Sequence, residues 1–177
     1  MNALKRRFEK WKQKGAVAPS SRFLARAITA HVEPSDRVLE IGAGNGVFTE
    51  RLARDVSDDR LHVLEIDPEY EQDLRAHAAH VYVTDALDFL ASPPLDLDGF
   101  KVISGLPLLN FEEAFRKTLL TRLLLESEVE SLRQFTYSPL PLFTDDWLRE
   151  RGLRARRAGF VLRNLPPAFI WEYTNHD

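Results

Sequence analysis

The stretch Arg37-Val-Leu-Glu-Ile-Gly-Ala-Gly-Asn-Gly-Val-Phe-Thr49 restricts this chain more than any other. Val38, Leu39 and Ile41 form a short apolar run, as in a buried parallel strand. Gly42, Gly44 and Gly46 follow at once, and a helix begins near Thr49. A strand that breaks into glycines and re-emerges as a helix makes a turn that can hold a ligand. Glycine permits positive φ and lets backbone N–H groups come close to that ligand. The spacing is G-x-G-x-G, not the dinucleotide G-x-G-x-x-G, and Glu40 stands two residues ahead of it. The bland alternative is a tight glycine turn without a ligand.

Composition bounds the rest. A length of 177 residues suits one domain with a sizeable core. The sequence divides into an arm, residues 1–14, and a body, residues 15–177. No cysteine is present and the five histidines show no ligand spacing, so neither a disulfide nor a metal is expected. No apolar run reaches membrane-spanning length and no signal peptide is visible, which predicts a cytoplasmic protein. The net charge of −3 is uneven. The arm holds six basic residues and one acid, a balance of +5, so the body carries −8. An anionic partner is therefore expected for the arm alone.

The arm reads as an amphipathic helix. Leu4, Phe8 and Trp11 share one face, and Lys5, Arg6 and Lys10 stand among the charges around it. Such a helix can lie on an anionic membrane surface, pack on the body, or bind nucleic acid. Ser20 or Ser21 can cap the next helix, Arg22 to His31. Leu61 to Asp67 is a second strand. Its Glu65 lies nineteen residues after Gly46, about the separation that brings an acid to ribose hydroxyls; Asp67 is the rival. The third strand, Val81 to Thr84, delivers Asp85, which can accept an adenine amine or cap a helix. Phe100 to Gly105 is the fourth strand and carries Gly105, Leu106 and Pro107 to the edge where open α/β sheets bind ligands. A helix over 111–127, a strand over 129–137 ending at Tyr137, and a hairpin of 153–163 with 168–174 complete the chain. The expected fold is α/β, a Rossmann-like, seven-stranded, mostly parallel sheet with an antiparallel terminal hairpin.

Glu40 before the glycines resembles the first motif of class I S-adenosylmethionine (SAM) methyltransferases. The whole chain resembles more narrowly the bacterial phospholipid N-methyltransferases. That resemblance rests on residues 15–22, 40–49, Ser104-Gly-Leu-Pro-Leu108, Gln134-Phe-Thr-Tyr137, and Asn164-Leu-Pro-Pro-Ala168 with Trp171 and Tyr173. It implies SAM contacts at Ser20, Ser21, Glu40, Gly42, Gly44, Gly46, Glu65, Asp85 and Gly105, with S-adenosylhomocysteine as product. It implies methylation of phosphatidylethanolamine toward phosphatidylcholine by a monomer at the inner face of the membrane. Gly105 to Pro107 and Tyr137 would orient the amine, and Trp171 and Tyr173 would offer rings to a methylated cation. The family has a proline-glycine turn where this chain reads Glu126-Ser-Glu-Val-Glu130. A catalytically inactive SAM-fold membrane protein is the alternative that this departure keeps open.

The ribosomal-RNA adenine dimethyltransferases are a second resemblance. They share the Glu-Ile-Gly-x-Gly-x-Gly, Glu-x-Asp and Asp-Ala-Leu pieces. Their fourth motif places Asn or Asp, an apolar residue, proline and an aromatic where this chain has Gly105, Leu106, Pro107 and Leu108. The amide and the stacking ring are both missing, and the body is acidic. On those grounds nucleic acid is not the expected partner, and an rRNA adenine N-methyltransferase-like enzyme stands as the alternative reading of the chain's function.

Overall fold

The computed structural model describes residues 20–175, so the arm with Leu4, Lys5, Arg6, Phe8, Lys10 and Trp11 lies outside the described residues. The elements are α1 (Arg22–Ile28), β1 (Val38–Ile41), α2 (Val47–Leu52), β2 (Leu61–Glu65), α3 (Glu71–Arg75), β3 (His80–Val83), α4 (Ala86–Ala91), β4 (Lys101–Ser104), α5 (Glu113–Thr121), β5 (Ser131–Thr136), α6 (Asp145–Arg149), β6 (Leu153–Val161) and β7 (Ala168–Asn175). One seven-stranded sheet runs β3-β2-β1-β4-β5-β7-β6. The first five strands are parallel, and β7 is antiparallel to both β5 and β6. The expected architecture is the observed one. No helix among the described residues is long and apolar enough to cross a membrane.

Period-two alternation divides the core between the two sheet faces. Val38, Val63 and Ile103 pack with Leu24, Ile28, Phe48 and Leu74 on one side. Leu39, Leu64 and Val102 pack with Phe89, Leu119 and Leu148 on the other. Leu24 and Ile28, both fully buried, lock α1 to the sheet; such burial is worth about 1.5–3 kcal/mol per side chain. The Ser21 hydroxyl accepts the Leu24 N–H at 3.1 Å and starts that helix.

Boundaries differ from the expectation where local chemistry intervenes. The segment between β2 and β3 opens as a 3₁₀ turn, Pro68–Tyr70, ahead of α3, because proline occupies its first turn and the Asp67 carboxylate accepts the Glu69 N–H. The helix predicted over 111–127 widens from α5 into a π turn, Arg122–Glu126, which leaves both Leu123 and Leu124 buried.

The stretch that replaces the proline-glycine turn has a visible cost. Glu128 sits at φ +50°, a conformation suited to glycine, and its carbonyl accepts the Gly99 N–H. Glu128→Gly should gain about 0.5–1 kcal/mol, the strain relieved less the entropy that glycine adds to the unfolded chain. Thermal unfolding would show a Tm rise of about 1–3 °C. Glu126→Gly, within the π turn, should lower it.

Candidate active site

The carboxyl ends of β1 to β5 converge on one edge of the sheet. At the end of β1 the three glycines take φ of 74°, 54° and 78°. The N–H groups of Gly42 and Ala43 both donate to the Leu64 carbonyl, at 2.8 and 3.3 Å, so β2 anchors the loop. Gly46 then starts α2.

Two acids, Glu40 and Glu65, flank this loop, and a third, Asp85, follows β3 at the same sheet edge. Glu40 is fully buried on β1. Thr49 Oγ1 donates to its Oε2 at 2.7 Å, while Oε1 is buried without a partner. Burial pushes its pKa up to about 8; the Thr49 hydrogen bond opposes that shift and the nearby Glu65 adds to it. Glu65 Oε2 accepts from Gly44 N at 2.7 Å and Oε1 from Asp67 N at 2.9 Å, and burial raises its pKa also. Of the two acids at the end of β2 and just beyond it, Glu65 therefore faces the glycines, and Asp67 caps the following turn. Asp85 takes the helix-capping one of its two expected roles. Oδ1 caps α4 through Leu87 N at 2.8 Å, and Oδ2 is buried without a partner.

Beside these groups lies a shallow cleft open to solvent, lined by Glu65, Thr84 and Ala86 and by Gly42, Leu106 and Phe111. Its walls are mainly apolar. Glu65 lines this cleft, Glu40 Oε1 and Asp85 Oδ2 are unpartnered acceptors at the same sheet edge, and the set suits a ligand that carries an ammonium, ribose hydroxyls and an adenine amine. The residues present fit SAM.

The turn after β4 closes the other side. Gly105 N donates to Ile41 O at 2.8 Å. The Leu106 carbonyl accepts Leu108 N and Gln134 Nε2, both at 2.8 Å, and the Pro107 carbonyl accepts Asn110 N. Of the three carbonyls expected to orient an amine, two are engaged. The Gly105 carbonyl takes no hydrogen bond among the described residues.

Tyr137 follows β5 at the same edge. Its ring packs on Phe135, and its hydroxyl lies beside Asn164 without hydrogen-bonding geometry; burial raises its pKa. Ser21 adjoins it, because Ser21 N donates to Asn164 Oδ1 at 3.0 Å; Ser20 precedes it, half-buried. Trp171 and Tyr173 are placed otherwise than expected. Tyr173 is fully buried, edge-on to Phe143, with its hydroxyl accepting Leu142 N. Trp171 packs against the same core opposite Gln134. Neither presents a ring at the edge, because both lie within the hairpin's pairing with β5 rather than beyond its end. Sequence reasoning assigned no role to Gln134 or Asn164. The available signal was a glutamine inside a strand buried along its whole length, since an amide there must find partners.

A family model described as ribosomal RNA adenine dimethylase matches residues 21–130. A relative, ribosomal RNA small subunit methyltransferase A of Syntrophotalea carbinolica, is 41% identical over 86 residues, covering 44% of this chain and 30% of that protein. Among solved structures, a dimethyladenosine transferase from Plasmodium falciparum is similar with a TM-score of 0.61 at 14% identity, covering 86% of this chain and 61% of the other. The magnesium protoporphyrin IX methyltransferase of Synechocystis PCC 6803, solved with bound SAM, is similar with a TM-score of 0.63 at 15% identity, covering 99% and 85%. The chain thus spans about 30% of the curated relative and 61% of the Plasmodium structure.

These matches overturn the phospholipid reading. The narrow likeness of Gly105–Leu108 and Gln134–Tyr137 to phospholipid N-methyltransferases does not carry the chain's family, and the phospholipid and membrane partners inferred from it go with it. The exclusion of nucleic acid falls as well. Besides the missing amide and ring at Gly105 and Leu108, its premise was the summed charge of the body, which conceals where the charges lie. Residues 149–163 hold six arginines, all exposed, and one acid, Glu150.

Proposed function

The chain belongs to the ribosomal RNA adenine dimethylase family, and on that premise we propose that it transfers methyl groups from SAM to the exocyclic N6 amine of an adenine in RNA. It is a SAM-dependent methyltransferase with the fold of that class. The observation that carries the reading is the extent of the family match, residues 21–130, which takes in the glycine loop, all three acids and the turn after β4.

When bound, SAM would supply a sulfonium methyl carbon open to in-line attack by an amine nitrogen, the C–S bond breaking as the N–C bond forms and S-adenosylhomocysteine leaving as the neutral thioether. The chain's work is to hold and orient. Glu40 offers Oε1 to an ammonium, Glu65 and the glycine loop form the ribose site, and Asp85 Oδ2 accepts an adenine amine. The Gly105 carbonyl accepts one hydrogen of the acceptor amine and so aims its lone pair at the methyl group. The displaced N–H proton passes to water. Tyr137 provides a ring at the same edge, in the place of the aromatic that Leu108 does not supply.

The arginines of β6 support a nucleic-acid acceptor. Because β6 runs parallel to β5 through β7, its C-terminal end lies at the active edge. There the Arg163 and Arg22 guanidinium groups lie over the Phe23 ring, at 5.4 and 5.2 Å from its centroid. Cation and ring together suit a phosphate and an unstacked base.

The test is labelled SAM with ribosomal RNA and mixed phospholipid vesicles in one reaction. Label in N6-methylated adenosine is expected; label in the lipid fraction instead, or in neither, overturns the reading. Arg163→Glu should weaken RNA binding several-fold and flatten its log–log salt dependence by about one unit.

A further inference from the structure

The family pattern puts an amide side chain at the position of Gly105, and this structure has no room for one. A Cβ built there would meet the Gly42 carbonyl oxygen closer than real Cβ atoms approach any neighbour. The obstacle is backbone. It belongs to a loop that β2 anchors at Leu64 O. Glycine at 105 is thus a requirement of the close contact between the turn after β4 and the glycine loop.

An amide lies under the same turn, on the next strand. Gln134 pairs with Ser104 across the β4–β5 ladder and has no exposed surface. Its Nε2 donates to Leu106 O at 2.8 Å and to Phe135 O at 2.7 Å. Two carbonyl acceptors fix which end of the carboxamide is nitrogen, because an oxygen in that place would face two other oxygens. Its Oε1 is buried and has no partner. A buried amide left half satisfied is costly and needs a reason.

We propose that Gln134 is the positioning residue of the methyl acceptor, supplying from β5 the amide function that the family pattern places on β4. It acts through the turn. Leu108 N and Gln134 Nε2 fill both lone pairs of Leu106 O, and Ser104 Oγ accepts Leu106 N at 3.3 Å. Leu106 is thus held on both sides, at its N–H in the peptide it shares with Gly105 and at its carbonyl in the peptide that follows, and the Gly105 carbonyl in the first of these is left as the acceptor for the substrate amine. Rotation of that peptide would redirect this oxygen, and a displacement of about 1 Å at a reacting centre can cost 100-fold in rate. Leu106 also touches the glycine loop, since a Cβ on Gly42 would lie 2.6 Å from its Cδ2. Gln134 therefore sets where the acceptor stands relative to the cofactor cleft. The inference rests on the function proposed above only for the acceptor's identity.

Gln134→Met keeps the volume and removes the donor. Gln134→Glu keeps the shape and turns a carboxylate oxygen toward two carbonyls. In both variants, hydrogen exchange at the Leu106 and Leu108 amides should quicken at least tenfold while the β1 and β2 amides hold. SAM affinity by calorimetry should stay within about threefold of wild type. Single-turnover transfer to RNA at saturating SAM should fall about 100-fold. Unchanged exchange in Gln134→Met overturns the proposal whatever the acceptor. A parallel loss of SAM affinity and Tm overturns it too, by making Gln134 a packing residue only. Absence of transfer to RNA by the wild type counts against the acceptor's identity, and the exchange arm then decides the role of Gln134.

Discussion

Gly105→Ala should abolish SAM binding to within the detection limit of calorimetry, a loss of at least about 100-fold, and lower Tm by about 5–10 °C. The added methyl group collides with the Gly42 carbonyl oxygen, which is backbone and cannot rotate away. Overpacking of this kind costs about 1–3 kcal/mol, and about 2–4 °C of Tm accompanies each kcal/mol in a chain of this size. The effect on binding exceeds the effect on stability because of where the strain goes. Gly105 N bonds Ile41 O, and Gly42 N bonds Leu64 O. Pushing Gly42 away from residue 105 therefore shifts the N–H groups and the Glu65–Gly44 hydrogen bond that shape the cofactor cleft. A folded Gly105→Ala protein with wild-type SAM affinity would show that the contact between these two turns is not needed. Gly44→Ala is the comparison: a Cβ at 44 meets nothing within 4 Å, so only its φ of +54° resists the change and a smaller effect is expected.

The sheet and its order were legible because hydrophobic runs, glycine turns and acid spacing all report on backbone. Val38–Ile41 followed by three glycines permits few folds, and Glu65 nineteen residues on falls where the second strand ends. What was not legible depended on contacts across the chain. Nothing in Gly105-Leu-Pro-Leu108 announces that Gly42 occupies the space of a side chain at 105, so the sequence shows only a missing amide. The reason Trp171 and Tyr173 leave the edge is register: they pair with Gln134 and Leu132, inside β5 and not beyond it. The charge argument failed for a related cause. A net −8 for the body is a sum, whereas a nucleic acid meets the local field, and the arginines of 149–163 lie on and beside one edge strand. The family itself was misjudged from short pieces at residues 104–108 and 134–137; the match over 21–130 weighs the cofactor half of the chain, where the resemblance is longest.

Glu40→Gln should separate the fold's need for this position from the ligand's. In the free protein burial holds the Glu40 carboxyl at a pKa of about 8, so at neutral pH it is mostly protonated. A ligand ammonium at Oε1 would favour the carboxylate. Binding near pH 7 should therefore release about nine-tenths of a proton, as for any group one pH unit below its pKa. Calorimetry in two buffers of different ionisation enthalpy measures that number directly. Affinity should rise about tenfold per pH unit from pH 5 to pH 7 and peak near pH 8, where the ligand's own α-amino group begins to lose its proton. In Glu40→Gln the proton release should vanish, and affinity at pH 8 should fall about 10- to 100-fold, the range for losing one charged hydrogen bond. Stability moves the opposite way. The folded pKa lies above the unfolded value of 4.5, so the native state binds more protons between the two. The contribution of Glu40 is present in full below pH 4.5 and is lost as pH rises through 8, by at most about 1.4 kcal/mol per unit. Gln carries no such loss, and Thr49 Oγ1 can still donate to its amide oxygen. The Tm of the variant relative to wild type should therefore climb steadily from pH 5 to pH 8. A difference that is independent of pH, together with SAM binding that releases no proton, would mean that Glu40 is charged in the free protein and that burial is not what governs it.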